Sequence, residues 1–266
     1  MHRQTSHPRA SAIGRMRVIA YRLPCRWIGF FFAALGVASA AAAQPLITDD
    51  FNDGNDAGWT RVDPRAGTPD AATFSFPGGA YRIQNPADAV GITPVASLRT
   101  DATYGDFRVE ADIIDWDPNT IPVTGVLARV ANATPGHLAG YGLITTLSDF
   151  GITRYVNNAQ SAIRGSRAFS LIPGHDYRLR FHGSGAAMAG ELIDLGTGQT
   201  VVDDFARDAT YASGFSGLLL SDNGNHLPGD VTFDNYLSTV PEPAAALLLA
   251  PAALWLLASR RRTKQE

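Results

Sequence analysis

The sequence predicts an all-β domain, a sandwich or barrel, held between two short targeting segments. Three observations carry that prediction. Residues 44–240 contain twenty-one Asp and two Glu but no Lys; Glu and Lys favour helices, whereas Asp favours turns and caps. Several stretches alternate apolar and polar residues, as in Phe107-Arg108-Val109-Glu110-Ala111-Asp112-Ile113 and Tyr177-Arg178-Leu179-Arg180-Phe181-His182, the pattern of a strand with one wet face. No long stretch carries a helical apolar period and no internal repeat is visible, which sets aside propellers and solenoids.

Taken in order, the chain opens with a basic, acid-free stretch. Residues 1–43 carry six Arg and no acid. Arg22 and Arg26 precede a short apolar run from Trp27 to Val37, then small residues ending in the Ala41-x-Ala43 pattern. This is the build of an export signal, cleaved by signal peptidase after Ala43. The only cysteine, Cys25, lies in it, so the mature chain has no disulfide and no cysteine metal site. Residues 44–240 set twelve Arg against twenty-three acids, a net charge of −11. That balance repels phosphate backbones and excludes nucleic-acid binding. With the only lysine at residue 264, the domain also has no P-loop and no Schiff base.

Strands are expected at 46–51, 73–76, 80–84, 97–100, 107–113, 125–131, 140–146, 151–156, 177–182, 187–194, 201–205, 214–220 and 231–234. Turn clusters separate them, among them Asn52-Asp53-Gly54, Pro77-Gly78-Gly79, Pro173-Gly174, Gly196-Thr197-Gly198 and Asp222-Asn223-Gly224. Many short strands at this spacing form a sandwich or barrel.

The tail changes character again. Pro241-Glu242-Pro243 is held extended by its prolines. An apolar helix is expected over 244–259, interrupted by Pro251, with a basic tail over 260–264. Its fifteen apolar residues would span about 22 Å of a ~30 Å hydrocarbon core, and Arg260, Arg261 and Arg262 would stay cytoplasmic. Residues 240–266 resemble the PEP-CTERM sorting signal, which joins these three parts in this order. The resemblance implies an exosortase substrate of a Gram-negative bacterium, anchored transiently in the inner membrane and then released to the cell surface or extracellular matrix.

The domain over 44–239 resembles a concanavalin A-like jelly roll of the laminin-G/glucanase type. The matching stretches are Asp50-Phe51-Asn52-Asp53-Gly54 with Gly58-Trp59, Tyr104-Gly105-Asp106-Phe107, Gly174-His175-Asp176-Tyr177-Arg178-Leu179 and Gly229-Asp230-Val231-Thr232-Phe233-Asp234-Asn235. That fold hosts lectins, hydrolases and adhesion modules, so it does not fix function.

Three site readings follow. Glu110, Asp112 and Asp115 resemble the Glu-x-Asp-x-x-Glu signature of laminarinase-type glycoside hydrolases. Asp115 departs from it by one methylene, and an ordinary charged strand face explains the same residues. Trp116, Arg129, Tyr141, Arg154, Tyr155, Asn157 and Asn158 lie on or beside middle strands and offer the aromatic faces and polar forks that sugars need. Asp50 and Asn52 near the start, with Asp234 and Asn235 near the end, would supply oxygen ligands to a structural calcium ion if the first and last strands pair; turn capping explains the same residues. The leading expectation is a noncatalytic module associated with extracellular polysaccharide. The alternatives are a glycan-cleaving enzyme using Glu110, Asp112 and Asp115, and a structural or adhesion protein with no glycan ligand.

Overall fold

A computed structural model describes residues 46–86, 94–119, 123–146, 148–221 and 228–240. The export signal with Ala41 and Ala43, and the tail with Pro241, Glu242, Pro243 and Arg260 to Arg262, lie outside the described residues. Among the described residues there is no α-helix, and no helix long and apolar enough to cross a membrane.

In chain order the strands are β1 (Leu46–Asp49), β2 (Trp59–Val62), β3 (Thr73–Ser75), β4 (Tyr81–Asn85), β5 (Val95–Tyr104), β6 (Phe107–Trp116), β7 (Val123–Asn132) and β8 (Ala139–Thr145). They continue with β9 (Asp149–Val156), β10 (Ala159–Ala162), β11 (Arg167–Ala168), β12 (Tyr177–Ser184), β13 (Ala187–Asp194), β14 (Gln199–Arg207), β15 (Gly214–Ser221) and β16 (Gly229–Thr239). They form two antiparallel sheets. The first runs β14-β13-β12-β6-β16-β4-β3, with β1 also paired to β16. The second runs β10-β9-β8-β7-β15-β5-β2, with β11 paired to β9.

The alternation read from sequence decides which side chains fill the space between the sheets. On β6, Phe107, Val109, Ala111 and Ile113 enter the core, as do Tyr177, Leu179 and Phe181 on β12. The second sheet answers with Val126, Ala128, Tyr141, Leu143, Phe150, Ile152, Leu218 and Leu220. Fully burying one such aliphatic or aromatic side chain contributes roughly 1.5–3 kcal/mol.

The first and last described strands lie side by side, with Leu46 opposite Thr239 and Asp49 opposite Tyr236. A knot of rings closes this joint. Trp59 meets Tyr236 edge-on at 4.6 Å, Phe51 stacks on Tyr81 at 5.0 Å, and the Trp59 indole N–H donates to Asp49 at 2.7 Å. Two irregularities break the ladder between β16 and β6. The register slips between Thr232 and Phe233 and again between Asp234 and Leu237, where Asn235 takes a left-handed φ of 49°. These bulges re-aim the acidic side chains at this joint.

Candidate functional site

The face of the first sheet turned away from the core is a ladder of opposite charges. Glu110 and Asp112 project outward from β6, while Arg178 and Arg180 project outward from the neighbouring strand β12. Strand register puts Arg180 opposite Glu110 and Arg178 opposite Asp112. Arg178 grips Asp112 with two bonds of 2.6 and 2.8 Å, and the Asn235 amide adds a third at 3.0 Å. Glu110 accepts from Arg180 at 2.6 Å and from Arg108 at 2.9 Å; Arg180 also reaches Glu191 at 3.0 Å. Glu110 and Asp112 are both buried beneath the side chains of Arg178 and Arg180, each about one-third exposed. Asp115 lies past the first bulge, exposed and opposite Thr232.

Retaining glycosidases need one carboxyl kept protonated by a raised pKa and a second free to attack. Here the electrostatics run the other way at Glu110. Burial alone would raise its carboxyl, but the bonds from Arg180 and Arg108 outweigh burial and hold it below the usual carboxylate range. A depressed folded-state pKa adds stability above the unfolded value, and that stability fades as pH falls through the folded value. Glu110→Gln is therefore expected to cost about 2 kcal/mol at pH 7, within the range for hydrogen bonds to a charged group. The gap to the unaltered chain should close as pH drops below about 4. Urea melts at pH 7 and pH 3 check this; an equal gap at both would contradict it.

Beside this ladder lies a cavity of about 490 Å³, walled by Asp49, Asp50, Asp53, Glu110, Arg178 and Asn235, among others. It holds part of the set expected to bind calcium. Asp234 sits close enough to Asp112 and Asp50 that burial, then these two charges, lift its carboxyl above the ordinary range. Asn52, by contrast, lies against the Gly79 turn, its Oδ1 only 2.4 Å from where a Cβ on Gly79 would stand. Among the described residues no three His, Cys, Asp or Glu side chains converge closely enough to hold a metal ion.

The seven residues expected to face a sugar do not share one surface. Tyr141 and Arg154 meet at Asp208, with the Tyr141 hydroxyl donating at 2.6 Å and Arg154 at 2.8 Å. Arg129 is buried at a left-handed kink in β7 (φ 48°), donating to the Gly105 carbonyl at 2.6 Å with its guanidinium over Phe107. Burial lowers its pKa. Trp116 is on the other sheet, packed against the core. Tyr155 is buried in a second apolar cluster, on the opposite face of the second sheet, with Leu98, Leu127 and Leu219. Asn157 and Asn158 form the β9–β10 turn, both left-handed (φ 51° and 67°), and Asn158 Oδ1 accepts from the Leu138 amide at 2.7 Å.

No protein-family model matches the sequence, and no curated protein matches it. Solved structures do. The carbohydrate-binding module CBM66 from Bacillus subtilis superposes with a TM-score of 0.50 at 19% identity, over 70% of this chain and 97% of that one. The lectin UEA-II, solved with galactose, gives 0.52 at 8% identity over 73% and 98%. Lectin I from Ulex europaeus, solved with a fucose glycoside, gives 0.50 at 9% identity over 75% and 99%. The fold is the jelly roll of lectins and carbohydrate-binding modules.

Sequence reasoning missed the partners on this scaffold rather than the carboxylates. Arg178 and Arg180 lie about seventy residues from their acids, and only the β6–β12 register brings them together. Their signal was present as two alternating strands, one acidic on its wet side and one basic.

Proposed function

We propose that this protein is an exported, noncatalytic module that associates with extracellular polysaccharide after its two targeting ends are processed. The observation that carries the noncatalytic part is the double engagement of Glu110 and Asp112 by Arg108, Arg178 and Arg180. That arrangement leaves neither carboxylate free to attack as a nucleophile, and it holds Glu110 below the range a general acid needs. Support for the glycan part comes from the jelly-roll fold, which the chain shares with a carbohydrate-binding module and two lectins. Support for export and exosortase processing comes from the Ala41-x-Ala43 pattern and from the Pro241-Glu242-Pro243, apolar and Arg260–Arg262 series.

The test is direct. The purified protein is incubated with β-glucans and with the host's own exopolysaccharide. Retention on glycan columns with no release of reducing ends, in both the unaltered chain and Glu110→Gln, is the expected result. Turnover that Glu110→Gln abolishes would overturn the reading in favour of a hydrolase. For the sorting part, mass spectrometry of the surface-bound protein should find Gln44 at its start and no Trp255.

The proposal includes structural calcium at Asp50 and Asp234, supported by the place of Asp50 and Asn235 in the acidic cavity and by the burial of Asp234 near the charges of Asp112 and Asp50, which a divalent ion would offset. Backbone carbonyls and water would have to complete six to eight oxygens. In chelator, Asp234→Asn should raise stability by about 0.5 kcal/mol at pH 7 by removing a like-charge contact. Because the folded-state pKa of Asp234 is raised, that gain should vanish as acid protonates the unaltered chain. In millimolar calcium the same substitution should instead abolish an upward melting shift. Identical melts of the unaltered chain with and without calcium would remove the ion.

A further inference from the structure

We propose that the cavity between β14 and the β10–β11 loop binds a uronate residue of an acidic polysaccharide, an inference that rests on the glycan-binding reading above. The cavity measures about 290 Å³ and is lined by Ile163, Arg164, Phe205, Ala206 and Arg207. That is the small end of ligand pockets, which run from roughly 300 Å³ upward, and it suits one sugar ring rather than a long stretch of chain.

Charge singles this place out. Residues 44–240 hold twelve arginines among twenty-three acids. Ten of the twelve reach a carboxylate within 4.0 Å. The other two, Arg164 and Arg207, have no ion-pair partner among the described residues, and they line the same cavity. In so acidic a domain, unpaired arginines are the exception, and here they stand together. The nearby acids are otherwise placed. Asp204 is buried, accepting from the Ile152 amide at 3.0 Å with Arg167 at 3.4 Å. Asp203 is on β14, two residues before Phe205, but does not line the cavity.

The same cavity is lined by Phe205, 41% exposed although it is a large apolar side chain. Phe205 and Arg207 share one side of β14, while Ala206 between them is buried. An open ring face takes the C–H surface of a sugar. The planar guanidinium forks match a carboxylate with paired bonds. A uronate offers both on one ring; a neutral hexose offers only the first, and an acidic peptide only the second.

The experiment uses the full chain in mild detergent and measures binding to polygalacturonate, size-matched dextran and polyglutamate. Polygalacturonate is expected to bind best. Arg164→Gln, Arg207→Gln and Phe205→Ala should each weaken it by about tenfold, while Arg61→Gln, which removes a paired charge, should leave it unchanged. Added salt should reduce the two arginine effects and spare that of Phe205. If polyglutamate binds as tightly and Phe205→Ala is silent, the site is a basic patch and the inference falls. If dextran binds and all three substitutions are silent, the inference falls while the glycan reading stands. If neither glycan binds, both fall.

Discussion

Replacing Arg178 with Met is expected to destabilise the domain by about 3 kcal/mol, at the low end of the range for breaking a buried ion pair. Asp112 is almost wholly buried and would keep only the Asn235 amide once the two Arg178 bonds of 2.6 and 2.8 Å are gone. The low end applies because Arg178 is itself about one-third exposed, so water can reach part of the vacated space. For a domain of this size the loss corresponds to a fall in Tm of roughly 6–12 °C. The double variant Arg178→Met with Asp112→Asn should recover much of it, because the stranded charge is then gone. A single variant that melts with the unaltered chain, or a double variant no better than the single, would show that the outer ladder does not hold the sheet.

Gly217→Ala is expected to cost at least as much, by a steric route. Gly217 sits on β15 between β5 and β7. A Cβ there would lie 2.2 Å from the Ser97 carbonyl oxygen and 2.8 Å from Leu98 Cδ2. The first obstacle is backbone, fixed by a ladder on both sides, so no rotamer change relieves it. Overpacking of this kind costs typically 1–3 kcal/mol and more where the backbone must shift; about 3 kcal/mol is expected here. Gly105→Ala is the matched control, since its nearest neighbour, the Ala212 carbonyl, is 3.7 Å away. Thermal melts should separate the two by roughly 10 °C; coincident curves would mean that β15 gives way easily.

The strands were legible where alternation was strict. β6 and β12 follow from their period-two pattern alone, because one face of each is core and the other is wet. β16 was legible only in part: 231–234 reads as a strand, but the strand runs from Gly229 to Thr239. The left-handed Asn235 inserts a bulge, so the inward series passes from Val231 and Phe233 to Tyr236 and breaks the period. β2 was missed because four residues with two exposed centres carry too little pattern. That first and last strands would pair was anticipated, and β1 does lie against β16. The site was harder to read. Residue types announce chemistry, but register decides who neutralises whom. Tyr141 and Arg154 have the makings of a sugar contact, yet Asp208, more than fifty residues on, engages both. Arg164 and Arg207 gave no signal in sequence, since being unpaired is a property of the fold.

The place of β16 between β6 on one side and β4 and β1 on the other has a kinetic corollary. Among the described strands, the one that joins the two halves of the first sheet comes latest in chain order. Within that sheet β4 and β3 on one side join β6, β12, β13 and β14 on the other only through it, so the two halves close into one sheet only when it docks. Closure over such a sequence distance is intrinsically slow. That delay would leave the sheet in two unjoined halves, each with a bare hydrogen-bonding edge, until the strand slots between them.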